Sequence, residues 1–163
     1  MTHKLNAHLP DESATNAFAA LLAESMAAAG AVIYLQGDLG AGKTTLVRGL
    51  LQAMGYTGRV VSPTYTLIEP YDLPSGQRAY HLDLYRVADP EELVMLGLRD
   101  INPNLDLMLV EWPELGQGGL PDADLLLVLQ DLHSGQGRQL ELQARSARST
   151  AWLECLAKKT GQL

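Results

Sequence analysis

The sequence predicts an α/β fold in a single domain over residues 1–163, with a mixed β-sheet flanked by helices. Three observations carry that prediction. A short apolar run, Ala31-Val32-Ile33-Tyr34-Leu35-Gln36, leads through a glycine-rich stretch directly into a helical pattern. Two turn-rich segments, 72–77 and 133–137, each separate a pair of strand-like runs. The length, 163 residues with 47% apolar content, suits one domain with a full core.

Taken in order, Lys4 to Leu9 alternates weakly and reads as a first strand. Asp11 or Ser13 offers an N-cap to an alanine-rich helix with an apolar stripe of Phe18, Leu21, Leu22 and Met26, closed by Gly30. Residues 31–36 read as a buried strand. The helix after the glycine stretch repeats Leu46, Val47, Leu50, Leu51 and Met54, with Gly55 as its C-terminal cap. Pro63 stops any helix near Ser62-Pro63-Thr64 and biases Ser62 to extended geometry. Residues 66–71 and 78–85 form the first expected hairpin. Asp89 and Pro90 then open a helix through Leu96, and residues 107–110 are another buried strand. Residues 124–132 and 138–144 make the second hairpin. A terminal helix runs from Ser149 to Leu156, with Trp152 and Leu156 in the core.

The glycine stretch is Gly37-Asp38-Leu39-Gly40-Ala41-Gly42-Lys43-Thr44-Thr45, a complete G-x-x-x-x-G-K-[ST] phosphate-binding pattern. Polyphosphate needs several backbone N–H groups turned inward together, and glycine permits both the dihedrals and the close approach. The following helix adds free N–H groups and the positive end of its dipole. Lys43 is placed to reach the β- and γ-phosphates, and the Thr44 hydroxyl to bind Mg²⁺. Strand, glycine loop and helix in succession make the expected fold P-loop NTPase-like.

Composition narrows the function further. The net charge is −7, from 19 acids against 12 Lys and Arg, and no basic stripe suits autonomous nucleic-acid binding. No apolar run approaches the roughly 20 residues of a membrane-spanning helix, and Met1 to Asn6 carries no hydrophobic signal segment. A single cysteine, Cys155, fits a reducing compartment, so the expectation is a cytoplasmic protein without a membrane partner. The four histidines have no zinc-ligand spacing.

A P-loop needs a second acid to hold Mg²⁺ or orient water, commonly at the end of a buried strand. Glu111 has that position after Leu107-Met108-Leu109-Val110, although a solvated strand-end carboxylate is the alternative. Asp83 shares a period-two face with His81 and Tyr85. Spacing alone leaves that face open to either the phosphate site or solvent. Thr64, one helix downstream of the P-loop, belongs to a segment able to sense a γ-phosphate, and Ser-Pro-Thr is equally ordinary turn chemistry. No Asn-Lys-x-Asp run supports guanine selectivity.

Four motifs stand together in order: residues 37–45, Ser62-Pro63-Thr64-Tyr65-Thr66-Leu67, His81-Leu82-Asp83-Leu84-Tyr85-Arg86 and Val110-Glu111-Trp112-Pro113-Glu114. In this combination the chain resembles the TsaE (YjeE) family, small bacterial P-loop ATPases of tRNA threonylcarbamoyladenosine (t6A) synthesis. The resemblance implies a mixed-sheet P-loop fold and ATP with Mg²⁺. It also implies a role in t6A formation beside the anticodon as an ATPase that resets the TsaB–TsaD heterodimer between cycles, with tRNA met only through that complex. Carried onto this chain, it makes residues 38–45 the nucleotide-binding loop, with Lys43 on phosphate, and Thr44 with Glu111 on Mg²⁺. Thr64 falls in a switch-like loop, and Asp83 becomes a site carboxylate that positions water or metal. Trp112 packs beside the nucleotide or closes the core.

Two rival functions share the P-loop. A small-molecule kinase holds its acceptor under an arginine-rich lid, and Arg59, Arg78, Arg86 and Arg99 form no such cluster in the sequence. A nucleotide-gated binding module uses ATP to order residues 62–67 and set partner affinity, without obligatory hydrolysis.

Overall fold

A computed structural model of the chain describes residues 3–26 and 30–161. Seven strands form one mixed sheet: β1 (Lys4–Leu9), β2 (Ala31–Gln36), β3 (Ile68–Asp72), β4 (Arg78–Asp83), β5 (Leu107–Glu111), β6 (Leu125–Asp131) and β7 (Arg138–Ala144). Their spatial order is β1-β7-β6-β2-β5-β4-β3. The four inner strands β6, β2, β5 and β4 are mutually parallel, and β7, β1 and β3 add antiparallel borders. The α/β class, the mixed sheet and both hairpins agree with the sequence reading.

Helices α1 (Glu12–Ser25), α2 (Lys43–Ala53) and α4 (Ala147–Thr160) lie on one face of the sheet. Their apolar sides meet Ile33, Leu35, Leu109 and Leu127 through Leu22, Leu46, Leu50 and Leu153, all fully or almost fully buried. Burying each such leucine contributes about 1.5–3 kcal/mol, which fixes α2 against the sheet and aims its first turn at one sheet edge. On the opposite face, Val32, Leu82, Leu84, Met108 and Val110 pack under the short helix α3 (Glu92–Met95). Alternate residues of β2, β4 and β5 therefore serve different cores.

Local chemistry sets the boundaries. Asp11 caps α1 by accepting from the Ala14 N–H at 2.8 Å. That helix ends at Ser25 with Met26 as its cap, not at Gly30, and residues 27–29 lie outside the described residues. Gly30 instead permits a close approach of two chain segments, since a Cβ there would lie 2.5 Å from the Asn104 backbone. Beyond α2, Gly55 adopts φ 98°, with its N–H bonded to the Gln52 carbonyl and the Tyr56 N–H to that of Leu51. This is a Schellman closure, as the glycine promised.

The expected helix from Pro90 to Leu96 contracts to four residues. The Asp89 carboxylate accepts from the Glu91 N–H, making an Asx turn of the first residues, and left-handed Gly97 ends the element. Strand β4 stops at Asp83 instead of reaching Tyr85, because the Asp83 carboxylate takes the Tyr85 N–H. The terminal helix is longer than expected, since Ser146 and Ser149 form a reciprocal capping box ahead of it. Trp152 and Leu156 are buried, as expected of core residues.

Candidate functional site

The carboxyl ends of β2, β5 and β4 lie side by side, and open α/β sheets offer their ligand crevices at that edge. The chain leaves β2 at Gln36, winds through residues 37–42 and enters α2 at Lys43. Gly42 caps that helix at φ 101°, a left-handed conformation that side chains resist. A Cβ there would also fall 2.6 Å from Arg138 Nε. At Gly37 the constraint is close approach: a Cβ would stand 2.6 Å from the Leu129 carbonyl oxygen. Gly37 is thus required by the packing of β6, and Gly42 chiefly by its left-handed backbone, since the Arg138 side chain beside it can shift.

Glu111 ends β5 and is 3% exposed. The Thr44 hydroxyl, in the first turn of α2, lies 3.1 Å from both of its carboxylate oxygens. Asp83 is the register partner of Glu111 on β4, so the two acids stand abreast. It is 7% exposed, and the open question about its face is answered by topology. Because β4 pairs in parallel with β5 and lies inside β3, His81 and Asp83 point into the helix-covered face and not to solvent. Tyr85 lies beyond the strand and packs its ring 4.9 Å from that of Trp112.

Lys43 is 5% exposed, and its ammonium donates to the carbonyls of Gly37 and Asp38 within the loop. The same ammonium lies 3.9 Å over the Trp112 ring. Trp112 itself has φ 57°, a left-handed turn that brings its indole beside the loop directly after Glu111. Its ring also packs against the core on the α3 face, so it both borders the loop and closes the core.

A cleft of about 310 Å³ joins these groups. It is lined by Leu39 through Thr45 of the loop and by Ser62, Thr64, Asp83, Glu111, Trp112 and Arg138. Every predicted site residue except Asp38 lines it, and Asp38 reaches Lys43 through its carbonyl. Ser62 and Thr64 bond each other through their hydroxyls at 2.8 Å. Their segment is tied to the site where the Asp83 N–H meets the carbonyl of Leu67, itself at φ 67°.

Charge in the cleft is poorly compensated. Burial pushes the Lys43 ammonium below its ordinary pKa, even though Glu111, Asp83, Glu114 and Asp38 all pull upward. Burial likewise raises the Asp83 carboxyl. The Tyr85 N–H lowers it, Glu111 raises it further, and His81 and Lys43 offset part of the rise.

Two contacts emerge only in three dimensions. Arg138, at the start of β7, donates from Nη2 to the Gly40 carbonyl at 3.0 Å and forms one wall of the cleft. It lies 98 positions from Gly40, so no local pattern announces it. His81, whose strand face the sequence left open to either the phosphate site or solvent, bonds Glu111 directly through Nε2 at 2.5 Å.

A parallel strand that runs through a glycine loop into a helix, with a hydroxyl and an acid at its mouth, defines a P-loop NTPase-like α/β protein. Comparison narrows this class. The family model described as "Threonylcarbamoyl adenosine biosynthesis protein TsaE" matches residues 9–140. The tRNA threonylcarbamoyladenosine biosynthesis protein TsaE of Haemophilus influenzae is 45% identical over 146 residues, covering 87% of this chain and 90% of that protein. The protein of that name from Bacillus subtilis is 41% identical over 124 residues, 74% of this chain and 73% of its own length. The crystal structure of Bacillus subtilis YdiB superposes with a TM-score of 0.79 at 32% identity, covering 98% of both chains. The chain belongs to the TsaE family. Among the described residues, no helix is long and apolar enough to cross a membrane.

Proposed function

We propose that this chain binds ATP with Mg²⁺ in the cleft and hydrolyses it in the service of tRNA t6A formation, resetting a TsaB–TsaD heterodimer between cycles. The carrying observation is the Thr44 hydroxyl held against the Glu111 carboxylate at the mouth of the glycine loop. A hydroxyl beside a carboxylate is a hard oxygen donor set, the chemistry that suits Mg²⁺. A cation held there would neutralise charge on phosphate oxygens.

The chain's own residues supply the rest. Backbone N–H groups of residues 38–45 and the start of α2 bind polyphosphate. Lys43, whose ammonium meets the loop carbonyls, would turn to phosphate oxygens, whose negative charge favours the protonated form against burial. Asp83, abreast of Glu111, is positioned to orient water or an aquo ligand. Trp112, Arg138 and Thr64 line the cleft.

The acidic surface suits docking on a protein rather than on tRNA, with tRNA met only through the partner complex. None of Arg59, Arg78, Arg86 and Arg99 lines the cleft, which gives the kinase reading no support. A nucleotide-gated binding module without obligatory hydrolysis has one observation in its favour. Residues 62–67 connect the cleft at Thr64 to Tyr65, which is 82% exposed.

The experiment is ATP turnover by the purified chain, alone and with TsaB–TsaD, with t6A formation scored in parallel and Lys43→Ala as the blank. Turnover stimulated by the pair and needed for repeated rounds of modification supports the proposal. Modification that proceeds at the wild-type rate with Glu111→Gln supports the module instead.

A further inference from the structure

Glu111 is nearly buried, stands abreast of Asp83, and still meets the Thr44 hydroxyl with both oxygens. Two neighbouring carboxylates in a low-dielectric site repel each other, and a Glu side chain has three torsions through which to swing away. Something must hold it. Two residues back along β4, on the same sheet face as Asp83, His81 is 0% exposed and bonds Glu111 Oε2 at 2.5 Å. A carboxylate accepts only, so Nε2 carries the hydrogen.

The other ring nitrogen sharpens the point. His81 Nδ1 is buried without a hydrogen-bond partner among the described residues. Most buried polar atoms find a partner, because an unpaired one is costly. Among the described residues, the one hydrogen-bond partner of the ring is the Glu111 carboxylate.

We propose that His81 is a positioning residue of the divalent-cation site. Its Nε2–H holds Glu111 in the rotamer that faces Thr44, and thereby sets the affinity of the cleft for the cation. This rests on reading the cleft as a Mg–ATP site. Partners that orient metal ligands from behind commonly change metal affinity by about 10–100-fold when removed. A purely structural histidine would change melting temperature and leave cation affinity alone.

The test is Mn²⁺ titration, followed by electron paramagnetic resonance, of the ADP complexes of wild type, His81→Gln, His81→Asn and His81→Leu. ADP affinity in EDTA serves as the control for an intact loop. Gln carries an amide N–H about as far out as Nε2, whereas Asn stops at the position of Nδ1. The expected result is half-saturation at about 10-fold higher Mn²⁺ for Asn and Leu, a value near wild type for Gln, and metal-free ADP affinity unchanged throughout. Should His81→Leu fail to fold, the Asn–Gln contrast decides. Equal Mn²⁺ affinity in the wild type and the folded variants overturns the inference while leaving the cleft reading intact. A wild-type ADP complex that takes up no Mn²⁺ overturns the cleft reading itself.

Discussion

The parallel strands end in two buried charged clusters, one at each edge, and the two are built on opposite principles. At the amino-terminal edge, Asp124 precedes β6 and takes the Val32 N–H at 2.9 Å and a two-pronged contact from Arg148 at 2.9 and 2.7 Å. Its own N–H bonds the Val32 carbonyl, and its carbonyl accepts from Arg145. Burial alone would raise the Asp124 carboxyl, but the hydrogen bonds from Arg148 and Val32 win, and it titrates below its ordinary value. Arg148 is correspondingly held more firmly protonated by its bond to Asp124. At the carboxyl edge the balance reverses: Asp83 is raised and Lys43 lowered, each chiefly by burial. One sheet thus has a charge cluster held by its own hydrogen bonds and another whose burial works against its charges. The first fastens β6 and α4 to β2. The second is suited to an anion and a cation arriving together, which is how ATP with Mg²⁺ presents itself.

Substitutions at the two edges should separate along that line. The largest effect is expected for Glu111→Gln, which keeps the shape of the site and removes its charge. ATP turnover should fall by about 100-fold or more, with the melting temperature little changed. Steady-state phosphate release and a thermal melt on the same sample check this.

At the other edge, Asp124→Asn should cost about 2 kcal/mol, because charge-assisted bonds to Arg148 and Val32 are weakened. For a chain of this size that is roughly 4–8 °C in melting temperature, with ATP affinity unaltered. Asp83→Asn should run the opposite way. Removing an under-compensated buried charge should raise the melting temperature by roughly 2–4 °C, about 1 kcal/mol, while turnover drops.

The smallest effect, a dependence on pH, carries the sign of each shift. Asp124 has a folded-state pKa below its unfolded value, so its stabilisation is full above the usual carboxylate range near ~4 and is lost as pH falls through the folded value. The gap between wild type and Asp124→Asn should therefore narrow in acid. Asp83 has a folded-state pKa above its unfolded value, so its contribution is present below about 4 and is lost as pH rises through the folded value. The advantage of Asp83→Asn should accordingly appear only on the alkaline side. Urea denaturation at several pH values between about 3 and 7 measures both; parallel curves for all three proteins would refute the assigned shifts.

How much of the molecule is legible in its sequence depends on how local each signal is. Residues 31–55 carry strand, glycine loop and helix in continuous sequence, and Gly55 marks the stop, so that unit reads almost to the residue. Glu111 is readable because it closes an apolar run. The orientation of Asp83 is not, because it depends on β4 lying parallel to β5, a pairing across 28 positions that no local period encodes. The bond from His81 to Glu111 is hidden for the same reason, and Arg138 because β7 reaches the loop only through the sheet order. The shortened α3 shows the converse case. Asp89-Pro90 is a fair helix start on paper, yet the Asp89 side chain serves a turn and Gly97 follows too soon for a long helix.

Calorimetric titration tests most directly the proposal that the cluster at the carboxyl edge is a Mg–ATP site. ATP would be titrated into wild type, Asp124→Asn and Lys43→Ala, each with Mg²⁺ and with EDTA. One saturable site is expected in wild type, strengthened by Mg²⁺, with the same isotherm for Asp124→Asn and affinity weakened by about 100-fold in Lys43→Ala. An isotherm that survives Lys43→Ala unchanged, or the absence of saturable binding in wild type, would contradict it.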